Sequence, residues 1–194
     1  LMATSNDWPS TRESLIEQMQ AEPNGPAWGL FAEVYVPLIY RFCRRRGFQD
    51  ADANDVTNNV FLAVHRGFRT FRYDPERGRF RGWLGTVTRN ELTRLKPPKN
   101  PLPPDLPDFD ADWIVACNTH LLQLALERIR PEFSELTWQA FDLVWLQSHK
   151  AAAVAAQLGR SSHWVHQAQF RVLRRLEREV RFLMDDMPGF DRDR

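Results

Sequence analysis

Between residues 66 and 83 arginine alternates with aromatic rings in the run RGFRTFRYDPERGRFRGW. Aromatic faces and guanidinium planes both stack on unpaired nucleobases, each stacked base adding roughly 1–3 kcal/mol. Phe68, Arg69, Phe71, Arg72, Tyr73, Arg77, Arg79, Phe80 and Arg81, with Arg66 at the edge, therefore form a composition suited to holding a single strand. Three glycines and a proline in the same run predict a loop-rich connection rather than one long helix. Trp83, in the context RGWL, is assigned to the core.

A second constellation follows Gly159. His163, His166, Gln167, Phe170, Arg171, Arg174 and Arg178 fall on one face at helical spacing, with Ser162 at the start. Glutamine can pair with adenine and arginine with guanine in a major groove. Residues near the helix start are expected to meet base edges, and the later arginines to meet phosphates. Trp164, close to the start of that helix, is expected to pack against the helix before it.

Other chemistries find no support. His163 and His166 stand three apart, but no third or fourth ligand lies nearby, so no metal site is expected. Cys43 and Cys117 have no CxxC neighbour and are expected to be reduced, buried thiols of a cytosolic protein. No carboxylate cluster, nucleophile constellation or phosphate loop is present, so neither an enzyme nor a cofactor is expected. The polar stretch from Thr4 to Glu13 predicts no signal peptide, and no apolar run approaches the roughly 20 residues of a membrane span.

The elements that must position these residues are helical. Trp28, Phe31, Tyr35, Leu38 and Phe42 recur at helical spacing, with a kink or restart expected at Pro37. Ala53, Val56, Val60 and Val64 form a second stripe, preceded by Asp50 and Asp52 as helix-start residues. Trp83, Val87 and Glu91, beside Leu84, Thr88 and Leu92, mark a third. Six of the eleven residues 97–107, PPKNPLPPDLP, are proline, which predicts an extended tether with an acidic end at Asp105, Asp108, Asp110 and Asp112. Beyond it, Ile114, Cys117, Leu121 and Leu124 mark one helix, and Phe133, Leu136, Ala140 and Val144 another. A short Ala-rich helix then ends at Gly159, Ser161 or Ser162 caps a longer one, and Val165, Ala168, Val172, Leu176 and Val180 form its buried stripe. Short helix, glycine turn and longer basic helix are the signature of a helix-turn-helix. Charge is segregated as well: residues 41–96 carry net +7 and residues 150–194 net +3, each preceded by an acidic block. The segregation suggests two separate anionic footprints, while charge alone fits a pair of solvated faces better. The fold class is all-α, two small helical domains on a proline-rich linker.

The stretches YVPLIYRFCRRRGFQDADANDVTNNVFLAV (35–64) and FRYDPERGRFRGWLGTVTRNEL (71–92) resemble region 2 of extracytoplasmic-function (ECF) RNA polymerase sigma factors, especially the planctomycete-like variety. TRESLIEQM (11–19) resembles the lead-in of that variety. LERIRPEFSELTWQAF (126–141) through RVLRRLEREV (171–180) resembles region 4. The resemblance implies a region 2 over 11–96, a linker over 97–111, a region 4 over 112–184 and a flexible tail over 185–194. It implies that region 2 grips the clamp of core RNA polymerase and opens the downstream promoter element, the loop before RGWL taking up a flipped base. Region 4 would read the upstream promoter element. Asn90 matches a family position near DNA. The helix from Asp52 to Val64 would be the clamp contact, through Asp52, Asp55, Asn58, Asn59 and Leu62. An anti-sigma factor that holds the protein in the cytoplasm is the implied further partner, with no membrane insertion.

Three positions depart from the family pattern. Asn58–Asn59 replaces the usual Gln–Glu pair, Gln169 stands where relatives often carry arginine, and TRLKPPK ends the third helix at Pro97 instead of extending it with arginines. They keep a second reading open, a sigma-like adaptor or regulator held mainly by a protein partner.

Overall fold

The computed structural model describes residues 15–22, 25–67, 80–95 and 108–185. Among them no strand occurs, and eight α-helices carry the fold, in agreement with the all-α reading. The proline-rich segment 97–107, the loop residues 68–79 and the tail 186–194 lie outside the described residues. The chain forms two compact units, one running to Cys117 and the other from Asn118 to Met184.

The first unit is built on α2 (Pro26–Arg45), α3 (Asp50–Gly67) and α4 (Phe80–Thr93), with the short α1 (Leu15–Ala21) ahead of them. Pro26 opens α2, where its missing N–H leaves no hydrogen bond unmade. The helix then passes Pro37 without a break, so no restart occurs there. Its apolar stripe, from Ala27 through Phe31, Tyr35 and Leu38 to Cys43, is buried. Phe31 and Tyr35 meet Phe80 of α4 edge-on at 6.1 and 5.8 Å, a geometry aromatic rings favour. Each such large side chain contributes about 1.5–3 kcal/mol by leaving water. From α3 the stripe Ala53, Val56, Val60 and Val64 closes the core as expected. Two buried hydroxyls are satisfied locally, Thr57 Oγ1 donating to the Ala53 carbonyl and Thr88 Oγ1 to the Leu84 carbonyl.

The fifth helix, α5 (Phe109–Ile129), takes in the last three residues of the expected linker, and the boundary between the compact units falls within it. Its expected stripe is corrected at Ile114, which is 59% exposed, and Val115 beside it is exposed too. Trp113, Ala116, Cys117 and Leu121 are the buried residues instead. The phase is set by Trp113. Its indole N–H donates to the Arg81 carbonyl at 2.7 Å, and its ring meets Phe42 edge-on at 5.0 Å. That approach is possible because residue 85 has no side chain: a Cβ on Gly85 would lie 2.7 Å from the Trp113 ring. Cys43 and Cys117 are buried and unbonded, as expected, and burial pushes both thiols up to about 12.

The second unit comprises the rest of α5, α6 (Glu135–Phe141), α7 (Ala151–Leu158) and α8 (Ser162–Asp185). Ser134 caps α6 by accepting from the Thr137 N–H. A π-turn over Asp142–Leu146 leads toward α7. Ala140, Leu143, Val154, Ala155, Val165 and Ala168 form one core cluster.

The two glycines of α4 give opposite expectations. Gly85→Ala forces a methyl into the Trp113 ring and should destabilise the first unit by about 1–3 kcal/mol. Gly82→Ala meets nothing within 4 Å and should stabilise by up to about 1 kcal/mol. Thermal melts of the two single variants check both signs.

Candidate nucleic-acid interface

The turn between α7 and α8 is what sends α8 off in a new direction. Gly159 adopts φ 62°, ψ 37°, a left-handed conformation that only glycine takes without strain. The Arg160 N–H returns to the Ala155 carbonyl at 2.9 Å, and the Gly159 N–H points back to Ala156. This pair of bonds is the Schellman closure of a helix. Of the two serines that follow, Ser161 is the cap: its Oγ accepts from the Trp164 N–H at 3.1 Å. Trp164 is half-buried against the core cluster, with the Arg160 guanidinium 5.5 Å over its ring.

From there α8 is sharply two-faced. Val165, Ala168, Val172 and Leu176 are buried, and Val180 is half-buried. The opposite face presents Ser162, His163, His166, Gln167, Phe170, Arg171, Arg174 and Arg178, all exposed. His163, His166, Gln167, Phe170 and Arg171 line a shallow open groove. Gln169 sits half-buried at the margin of this face. The far half of the helix is braced by ion pairs. Arg175 makes a two-pronged bond to Glu132 at 2.7 and 2.8 Å, and it shares the buried Glu179 with Arg128. Arg171, Arg174 and Arg178 thus face solvent on the candidate DNA side, whereas Arg175 is committed to structure.

On α3 the stripe opposite Val56 and Val60 carries Asp52, Asp55, Asn58, Asn59 and Leu62, all exposed. Leu62, 47% exposed, sets a single large apolar side chain beside the polar groups of Asp55, Asn58 and Asn59, at i, i+3, i+4 and i+7 spacing on one face. Arg66 is exposed at the end of α3 and Asn90 on α4, while Arg81 is half-buried. Phe68, Arg69, Phe71, Arg72, Tyr73, Arg77 and Arg79 lie outside the described residues. Phe80 proves to be core, and Trp83 is half-buried with its ring 5.5 Å from that of Phe80.

One basic cluster goes beyond the expectations from sequence. Arg45 and Arg46, at the end of α2, both bind the carboxylate of Asp112, which is 5% exposed; the Arg46 contact measures 3.0 Å. Arg89 of α4 pairs with Asp110 and covers the Phe109 ring at 4.5 Å. The sequence does hold the signals, a CRRRG run and an acidic DFDADW run. Nothing in their spacing says that one meets the other.

Residues 31–96 match the family described as Sigma-70 region 2. The matched span lies inside the first compact unit. The helix α3 with its polar face lies wholly inside the matched span, and so does α4. The ECF RNA polymerase sigma factor BldN of Streptomyces coelicolor is 29% identical over 185 residues, an alignment covering 89% of this chain and 66% of BldN. The ECF RNA polymerase sigma factor SigE of Mycolicibacterium smegmatis is 29% identical over 92 residues, 45% of this chain and 34% of SigE. The chain thus spans just under two thirds of BldN and about a third of SigE. Among solved structures, the RsbN–BldN complex contains a chain 25% identical to this one, at a TM-score of 0.34, over 84% of this chain and 97% of that one.

The cap assignment has a direct consequence. Ser161→Ala should destabilise the second unit by about 1 kcal/mol. Ser162→Ala should stay within about 0.5 kcal/mol of the parent, as surface changes do. Hydrogen exchange at the Trp164 amide should speed up in the first variant only.

Proposed function

We propose that this chain is an ECF sigma factor of the planctomycete-like variety. It binds core RNA polymerase, recognises promoter DNA and starts its melting, and performs no catalysis of its own. The observation that carries the reading is the order of two surfaces. A matched region 2 with an exposed polar and apolar helix face is followed by a helix-turn-helix whose free face holds glutamine, histidine and three arginines. The alignment with BldN extends well past region 2 into the second unit, which supports reading that unit as region 4.

On this reading Asp52, Asp55, Asn58, Asn59 and Leu62 meet the polymerase clamp. Region 2 runs over 11–96, the linker over 97–111 and region 4 over 112–184. Arg66, Phe68, Arg69, Phe71, Arg72, Tyr73, Arg77, Arg79, Arg81 and Asn90 serve the downstream element. Ser162, His163, His166, Gln167, Phe170, Arg171, Arg174 and Arg178 serve the upstream one. An anti-sigma factor that covers the polymerase-binding surfaces keeps the protein inactive in the cytoplasm until it is released.

Purified chain should be retained by core polymerase and should confer a promoter-specific transcript; failure of both sinks the proposal. Arg171→Ala with Arg174→Ala should weaken binding to an upstream-element duplex. Each lost phosphate contact should lower the slope of log K against log salt by about 0.9, so the pair lowers it by about 2. An unchanged slope would show that this face of α8 does not meet DNA.

A further inference from the structure

The free face of α8 offers more than charge. Gln167 Nε2 lies 2.9 Å from His163 Nε2, one turn earlier on the same exposed face. An amide nitrogen can only donate, so the His163 nitrogen accepts and the ring carries its proton on Nδ1. This bond consumes one of the two amide N–H groups and fixes which way the amide points. What remains for a ligand is one N–H and the carbonyl oxygen, a donor beside an acceptor.

That pair has one good match on a major-groove edge. Adenine presents N7 as acceptor and the N6 amine as donor, whereas guanine presents two acceptors, and Gln167 has only one donor left to give them. Three residues further along, Phe170 stands 64% exposed at the rim of the same shallow groove. A large ring left in water on a polar face has one apolar feature to meet in a major groove, the C5-methyl of thymine. The spacing fits neighbouring base pairs. Residues three apart on a helix are offset by about 4.5 Å along its axis, and stacked base pairs by about 3.4 Å.

We infer that α8 reads an adenine through Gln167, whose amide is oriented by His163, and the methyl of a thymine in the adjacent base pair through Phe170. The inference rests on the promoter reading above and names the bases that this face selects. Gln167 and Phe170 are the specificity-determining contacts. His163 is a positioning residue that acts through Gln167. Arg171 and Arg174 supply the phosphate affinity common to any sequence.

The test uses the full chain and duplexes selected from a random-sequence library, with single atoms of the selected site then edited. Replacing the read adenine by 7-deazaadenine removes N7 alone, and replacing thymine by uracil removes the methyl alone. The parent should lose about tenfold in affinity for the first edit, within the range of a bidentate base contact, and less, about threefold, for the second. Gln167→Ala should be indifferent to 7-deazaadenine yet still sense uracil, and Phe170→Ala should show the reverse. His163→Ala frees the amide to turn over, so its preference for adenine over guanine should fall toward parity while its salt slope stays unchanged. All three side chains are exposed, so the variants keep the fold. If a site is selected and binding to it falls in Arg171→Ala, yet both edits are neutral, this inference is overturned and the promoter reading stands. It is overturned in the same way if Phe170→Ala weakens retention by core polymerase and leaves the uracil effect intact. If the chain selects no sequence and gives no promoter-specific transcript with core polymerase, both fall together.

Discussion

A helix in a unit of this size can bury only one stripe. With 3.6 residues per turn, whatever it commits to the core fixes what it leaves outside. In α3 the commitment of Ala53, Val56, Val60 and Val64 sends Asp55, Asn58, Asn59 and Leu62 outward. In α8 the commitment of Val165, Ala168, Val172 and Leu176 sends Gln167, Phe170, Arg171 and Arg174 outward. The exposed candidate faces are thus the complement of the packing, and no residue in them is asked to serve the core as well. Arg175 shows the rule from the other side: a single step along the helix takes it out of the candidate DNA face and onto Glu132 and Glu179.

The same rule explains where the first unit ends. The match to the Sigma-70 region 2 family stops at residue 96, yet the compact unit continues to Cys117. Trp113 fills the notch above Gly85, and Asp112 binds both arginines at the end of α2. A buried carboxylate held by two guanidinium groups is specific in geometry more than strong in net energy, because both partners give up water to form it. It acts together with the docking of Trp113 to hold α5 in the register that leaves Ile114 outward.

Much of this is legible in the chain. The helical class, the stripes of α2, α3 and α8, the glycine turn at Gly159 and the exposed basic face all follow from spacing, because they depend on neighbours within one or two turns. The departures share a cause. Ile114, Cys117, Leu121 and Leu124 keep a perfect period that points Ile114 to the core, but Trp113, one residue earlier, has more surface to bury and a waiting pocket. The arginine–aspartate cluster at residues 45, 46, 89, 110 and 112 is invisible to spacing because its members lie far apart in sequence, and an ion pair leaves no periodic trace. Pro37 marks an interruption by its chemistry, yet the helix continues through it. Gly85 carries no distinguishing signal either; its role is visible only once an indole is seen lying against it.

The two buried thiols have a consequence of another kind. With both raised to about 12, only about one in 100,000 would be ionised at neutral pH. The thiolate is the form that attacks peroxides and disulfides. The sequence holds no other cysteine, so these residues give an oxidant almost no sulfhydryl chemistry to work on. In the folded chain the two sulfurs therefore serve as small apolar packing groups rather than as reactive ones.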